Sequence, residues 1–547
     1  MRTSTRWGWL AAVALLLGGC AGLPDSGPVE RVATVGSRTH SSVRYEPARP
    51  RPGATPQQIV DGYLDAMLAY PEATGIVQSY LTPQAVEDWR STAGITVYSE
   101  VRQHLDAVKR DEAEVRISAR NTLKIDGVGR ASVKSSRLTR TLRLERVAGH
   151  WRVANPVPGY LVTTRFAADY LRSYPLWFFD ESGKRLVPEL VHAVVGEQLP
   201  LILARRLADG PRGSTLRTYV PSADGLRVNV VGKIVEVDFD RDPGGATDKV
   251  AAQLLSTLRG VAGLDGVRIL VDGVPKGETH PLDAVVGFGP GPLANQVYAI
   301  RSGRVVEITN HSRPINGPMG RSAGSAVAFA VDGATIAAVL RGRTSVTVRP
   351  RTGGAARTYA GAGFVDPVWD DDHGLWLVDN PDVARVRVVR DATVSEVDVG
   401  SLGRLRAFAV SPDRSRYAAV EQSGDDTAVV VGAIEHDADG APVSLLPPAI
   451  VSAGRTGERS VGWGSPTRID FVALGRSGQQ LYSIGLDGAD PAAGKPLRGG
   501  VMTWAGAAAD GADRWALDNR GRLWRRSPGA AWEQESPAAY RALSAGR

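Results

Sequence analysis

At 547 residues, with 43% hydrophobic and 22% charged residues, the chain is long enough for three or four domains, since single cores rarely grow beyond about 250–300 residues. Its formal charge of +7 is a mild excess with no basic block, which speaks against nucleic-acid binding. A single cysteine leaves no partner for a disulfide, a thiolate metal site or a CxxC redox pair.

The chain opens with Arg2 and Arg6, an apolar run from Trp9 to Leu17, and the close Leu17-Gly18-Gly19-Cys20. That run is about half of what a hydrocarbon core of about 30 Å requires. Residues 1–19 therefore read as a signal peptide and not as a membrane span. Small residues before a cysteine let the chain enter the lipoprotein signal peptidase extended, and the Cys20 thiol takes a diacylglyceryl group first. Two or three acyl chains hold a protein stably where one holds it marginally. The mature chain is thus expected on the cell membrane, lipid-anchored, with its folded mass on the extracytoplasmic face. Residues 20–53 carry Pro24, Pro28, Pro47, Pro50 and Pro52 among Ser, Arg and Gly, a composition that stays extended as a tether.

Folded sequence begins at Thr55, a helix N-cap with Pro56 at the first helical position, followed by Ile59, Tyr63, Leu64 and Met67 at helical spacing. A second short helix is predicted over 72–80. After Ile95 the pattern turns to strands, named at 115–119, 131–133 and 142–147, the last leading through Gly149 to Trp151-Arg152-Val153-Ala154. Helices followed by a curled antiparallel sheet ending in Trp-x-Val resemble the α+β fold named after nuclear transport factor 2, here over 54–160. That fold by itself assigns no activity. His104 and His150 stand isolated and read as surface or packing residues.

Between 176 and 275 the predicted order is a strand at 176–179, a return at 185–188, a helix from Pro200 to Leu207, strands at 226–230 and 234–239, a helix at 250–258 and a strand at 267–271. With Asp209-Gly210-Pro211, Thr257-Leu258 and Val271-Asp272-Gly273, this stretch resembles the GerMN domain of sporulation and germination proteins. The resemblance implies an extracytoplasmic interaction module.

From 284 to 547 a pattern repeats: an apolar strand with an aromatic, a polar turn, and a second apolar strand. Its aromatics are Phe329, Trp369, Phe408, Trp463 and Trp504, separated by 40, 39, 55 and 41 residues. An earlier copy runs through Asn295–Ile300 and, after the turn Ser302-Gly303, Arg304–Ile308. A period near 40–45 with several strands per repeat is the signature of a β-propeller, here of about six blades. The turn Ser411-Pro412-Asp413 is similar to those of TolB-type and WD-repeat propellers.

Three motifs invite a chemical reading. Gly320-Arg321-Ser322-Ala323-Gly324 matches the nucleophile elbow GxSxG, but the elbow needs a strand before the Ser and a helix after it, and here a loop precedes and a strand follows. Asp238-Phe239-Asp240-Arg241-Asp242 starts like a calcium loop, yet Pro243 stands where Gly is needed and Lys249 where a bidentate Glu is needed. Asp370-Asp371-Asp372-His373 clusters carboxylates and reads as a solvated blade turn rather than a cation site. No HExxH, P-loop, GxGxxG fingerprint or paired catalytic carboxylates emerge, and the eight His are scattered. The expectation is a protein without a cofactor, a metal or an enzymatic site, whose one functional position is Cys20.

The lipobox continues as Cys20-Ala21-Gly22-Leu23-Pro24-Asp25-Ser26-Gly27-Pro28-Val29. With the three units that follow, it resembles the LpqB family of actinobacterial lipoproteins across essentially the whole chain. Fifty-seven arginines against eight lysines point the same way, towards a G+C-rich genome. The resemblance implies an accessory of the MtrA–MtrB two-component system that touches the extracytoplasmic part of the sensor kinase MtrB and influences cell-wall homeostasis and division. It carries over no contact residue. The alternative is a lipoprotein that binds or scaffolds cell-wall polymer without a kinase partner.

Overall fold

A computed structural model describes residues 47–546 apart from 71–73, 134–135, 214, 292, 294–295, 309–310, 453, 476–477, 498–501, 508–512 and 537–538, and the backbone alone over 502–507. Residues 1–19 and Cys20 lie outside the described residues, as does most of the expected tether.

The first domain opens with α1 (Pro56–Ala66), where the Thr55 side chain accepts from the Gln58 amide and Gln58 reaches back to the Thr55 amide, a capping box that ties down two free donors. Its apolar face buries Ile59, Tyr63 and Leu64. The expected second helix is α2 (Thr74–Ser79). A third, α3 (Pro83–Asp88), was not anticipated; it is capped by Thr82, whose hydroxyl accepts from the Ala85 amide at 3.2 Å. The strands begin earlier than the first stretch named from the sequence, with β1 (Gly94–Val108). There follow β2 (Glu112–Asp126), β3 (Ala131–Ser132), β4 (Ser136–Val147), β5 (His150–Val153) and β6 (Tyr160–Thr163). They form one sheet in the order β5-β4-β2-β1-β6, with β3 on β2 and β6 parallel to β1. Three register shifts in the β1–β2 pairing mark bulges, which bend a strand and increase its twist. The helices bury Tyr63, Met67 and Trp89 against it.

Helix α4 (Thr164–Tyr170) leads into the second domain, whose hairpin is β7 (Leu171–Asp180) and β8 (Leu186–Val194). Helix α5 (Leu199–Ala208) follows, then the short β9 (Leu216–Arg217) on β7. The strands β10 (Arg227–Val231) and β11 (Ile234–Phe239) pair antiparallel, and α6 (Thr247–Leu258) returns the chain to β12 (Gly266–Val271), parallel to β11. Two fully buried polar side chains of α6 serve the hairpin backbone. The Thr257 hydroxyl accepts from the Trp177 amide at 3.1 Å, while Gln253 donates to the Trp177 carbonyl at 2.9 Å and accepts from the Tyr219 amide at 2.7 Å. A buried amide left unpaired costs about 1–3 kcal/mol, so these two residues decide where the hairpin sits on the helix.

The rest of the chain is a β-propeller-type domain of consecutive antiparallel sheets. Five of them open with an inner strand, at 326–332, 368–369, 404–410, 461–465 and 502–507, and step outward through three more strands. The sheet that begins at 296–301 differs. That segment and 304–307 are its second and third strands, and the inner place is filled from the far end of the chain by Tyr540–Gly546. The inner strands neighbour one another in a closed ring, with 540–546 between 502–507 and 326–332. The 55-residue step between Phe408 and Trp463 also has a cause. The third strand of that sheet, Asp426–His436, is long and pairs with both Pro442–Leu445 and Ala449–Ile450.

Candidate functional site

In an antiparallel meander every turn from first to second strand and from third to fourth lies at one end, and the inner strands start at the other. The first end receives the second domain. Arg185, in the β7–β8 turn, pairs with Asp371 at 2.5 Å. His192 on β8, its side chain 1% exposed, meets Asp487 at 2.8 Å. The Leu186 amide donates to the Phe288 carbonyl at 2.7 Å, and the Phe288 ring stands edge-on to Phe179 at 5.2 Å. The turn holding Asp487 also sends Ala489 into the core of the first domain.

All three domains meet at His192. Its amide donates to the Gly129 carbonyl of the first domain, its own carbonyl accepts from Arg206 at 3.1 Å, and its ring reaches Asp487 of the propeller. Gly129 has φ +85°, and a Cβ there would strike the Arg206 guanidinium, so the close approach requires glycine. A cavity of about 230 Å³ lies at this junction, lined by Tyr70, Asp126, Tyr160, His192 and Arg206 among others. Burial lowers the Arg206 guanidinium and raises the Tyr70 phenol relative to their ordinary values.

The carboxylate run on the turn after Trp369 is an ion-pair hub of the docked end. Asp370 is buried and accepts from the Asp372 and Gly374 amides, from the Trp376 indole at 3.0 Å and from Arg390 at 3.2 Å. Asp371 takes Arg185. Asp372 takes Arg414 at 2.6 Å and Arg390 at 3.5 Å. Burial by itself would raise the Asp372 carboxyl, but Arg414, then Arg390 and Arg185, hold it below its ordinary value. His373 pairs with Asp332 at 2.6 Å, and that hydrogen bond raises its imidazole above the ordinary value. These acids were expected to face water; Asp370 is buried instead, and arginines of separate turns and strands pair with Asp371 and with Asp372, which stays exposed.

The remaining sequence candidates lie apart from one another. Ser322 is exposed and follows the four-residue helix Pro318–Arg321, with a strand starting at Ala326, which is the reverse of the order an elbow requires. Asp238 pairs with Arg227 at 3.1 Å, and Asp242 with Lys276 at 2.6 Å. The Lys276 hydrogen bond and then the Gly244 amide lower the Asp242 carboxyl. Lys249 lies over the Phe179 and Tyr219 rings. His104 is exposed, 3.7 Å from Asp106, and His150 is exposed on β5. Among the described residues no group of three or more His, Cys, Asp or Glu could hold a metal ion.

The centre of the ring encloses a cavity of about 610 Å³. Phe329, Trp369, Phe408 and Trp463, four of the five repeat aromatics read from the sequence, line it; the side chain of the fifth, Trp504, lies outside the described residues. Signals for the rest were not local. The lining segment 543–546 belongs to a strand that the repeat does not announce, and Leu293 reaches the cavity from the connection between the second domain and the propeller.

Three family models match the chain in order. The LpqB N-terminal domain matches residues 49–167, the sporulation and spore germination (Germane) domain 175–277, and the LpqB β-propeller domain 303–542. Among curated proteins, the lipoprotein LpqB of Cutibacterium acnes is 25% identical over 527 residues, 88% of each chain. That of Streptomyces avermitilis is 26% identical over 585 aligned residues, 95% of each chain. Among solved structures, one chain of a nidogen/laminin complex is similar over 46% of this chain and 97% of its own, at 11% identity and a TM-score of 0.34.

Proposed function

We propose that this chain, a member of the LpqB lipoprotein family, is held by Cys20 on the extracytoplasmic face of the cell membrane and acts there as an accessory of the MtrA–MtrB two-component system, by binding the extracytoplasmic part of the kinase MtrB. The first domain is read as nuclear-transport-factor-2-like and the propeller as six-bladed. None of the three domains is assigned a catalytic role. Among the described residues no helix is long and apolar enough to cross a membrane, in keeping with attachment by lipid alone.

The observation that carries this reading is the three-way junction at His192, reinforced by Arg185 and Asp371. Separate modules on flexible linkers would present their surfaces independently. Here the first two domains are packed on one end of the propeller, so the free end faces outward as a wide surface of loops, the kind of surface on which partners dock. Anchoring both proteins to one membrane raises their effective concentration, so a modest intrinsic affinity suffices.

The test is binding of the full-length chain, in detergent micelles, to the purified MtrB ectodomain of the same organism. Saturable binding in the micromolar range or tighter is expected. It should weaken when exposed residues on the free end of the propeller are substituted and stay unchanged when exposed residues of β4 are. Absence of binding by folded protein would end the kinase reading and favour wall scaffolding.

A further inference from the structure

The two ends of the central channel differ in charge. The turns of the docked end carry carboxylates already paired with arginines, whereas arginines gather at the free end, where the inner strands start. Among the described residues lining the cavity are Arg343, Arg404, Arg406 and Arg459 against a single carboxylate, Asp366. Topology gathers them: Arg343 lies on a turn from second to third strand, Arg404 and Arg406 at the start of one inner strand, and Arg459 two residues before the next. Arg343 is committed to Asp366 and to the Phe364 carbonyl, and Arg406 donates to Gln422. The guanidinium groups of Arg404 and Arg459 donate to no acceptor among the described residues.

We infer that the free end of the channel is a binding site for a small oxyanionic ligand, a compound bearing a phosphoryl or carboxylate group. A guanidinium offers a planar fork of donors that matches both groups bidentately. Arginines at the mouth of a cleft with low-dielectric walls focus the field and draw anions in. A second observation comes from the wall itself. The Trp369 and Trp463 rings both line the cavity, and their indole N–H groups are buried without an acceptor. Trp463 is 9% exposed. A buried donor left unpaired is costly, and native proteins rarely tolerate one unless water, an ion or a ligand completes it. The cavity, at about 610 Å³, falls within the range of roughly 300–1,000 Å³ typical of small-molecule sites. The other end of the ring carries the docked second domain, so the ligand enters and leaves by the arginine-rich end. This inference does not depend on the kinase reading.

The experiment is calorimetric titration of the full-length chain in detergent, at low ionic strength, with glucose 1-phosphate, glucuronate and glucose as probes. The phosphorylated or the carboxylated sugar, or both, is expected to bind saturably with neutral glucose inert, and the stronger of the two names the group. Arg404→Ala and Arg459→Ala, both at exposed positions, should each weaken that binding about tenfold, as loss of one charge-assisted contact does. Trp463→Phe should weaken it about threefold, and Arg357→Ala, on an outer strand, should leave it unchanged. The inference is overturned if neither charged probe binds at concentrations up to about 10 mM. It is equally overturned if binding survives the Arg404→Ala/Arg459→Ala pair, or if Arg357→Ala lowers it as much. Loss of MtrB ectodomain binding in that pair, with no probe bound by the parent, would assign the arginines to a protein partner instead.

Discussion

At the level of single residues, the docked end of the propeller places histidines in opposed electrostatic settings. His436, half-buried at the end of its strand, is held below its ordinary value of 6.5, first by burial and then by Arg414, against the opposing pull of Asp180 and Asp370. His373 is held above that value by its hydrogen bond to Asp332. Their signs follow from linkage. As pH falls through 6.5 the unfolded chain protonates His436 before the folded one does, so that residue costs stability on the acid side. His373 contributes stability that is complete below 6.5 and fades as pH rises through its folded value; its side chain is exposed, which keeps that contribution small. Between pH 8 and about 5.5, above the carboxylate range, His436→Gln is expected to lose less thermal stability on acidification than the parent. Equal pH slopes in the two proteins would disprove this account of His436.

The decisive element is the strand Tyr540–Gly546. It supplies the inner strand of a sheet whose other members begin at residue 296, and so ties the end of the propeller sequence to its start. Tyr540 and Leu543 are buried, and Leu543 packs with Val297, Ala299 and Trp515. A carboxylate at Leu543 would sit in that cluster without a partner, and Leu543→Asp is expected to destabilise the propeller by about 3 kcal/mol or more. Urea unfolding followed by tryptophan fluorescence would show it as a lower midpoint. An unfolding free energy within about 0.5 kcal/mol of the parent's would mean that the strand does not hold the ring closed. The sequence repeat was legible because four inner strands bring an aromatic, Phe329, Trp369, Phe408 and Trp463, to the channel. This closing strand was not, because its pairing partner lies about 240 residues away and no local period encodes that distance.

For the molecule as a whole, the functional proposal joins an anchor that lies outside the described residues to a body whose domains are docked together. Cys20→Ser removes the only thiol that can carry lipid. The variant is expected to leave the membrane fraction while keeping the unfolding midpoint of the parent, since Cys20 lies ahead of the three domains in the chain. Fractionation followed by immunodetection decides the matter. A variant still sedimenting with membranes would show that another part of the chain, such as the arginine-rich end of the propeller, holds it there.

Read alone, the sequence determined most of the helices and strands of the first two domains and the propeller-type repeat, and it carries the expectation of a lipid anchor at Cys20. Each of these is written in local chemistry: a cysteine after small residues, apolar spacing of period two or 3.6, turn residues at regular distance. Only the tertiary structure decided that Asp371 and Asp372 are bound to arginines of other elements, that His192 joins three domains, and that unmatched arginines meet at one end of the channel. Those facts depend on residues far apart in sequence being brought within a few ångströms, and a charge or a histidine looks the same in the sequence whether water or an arginine awaits it.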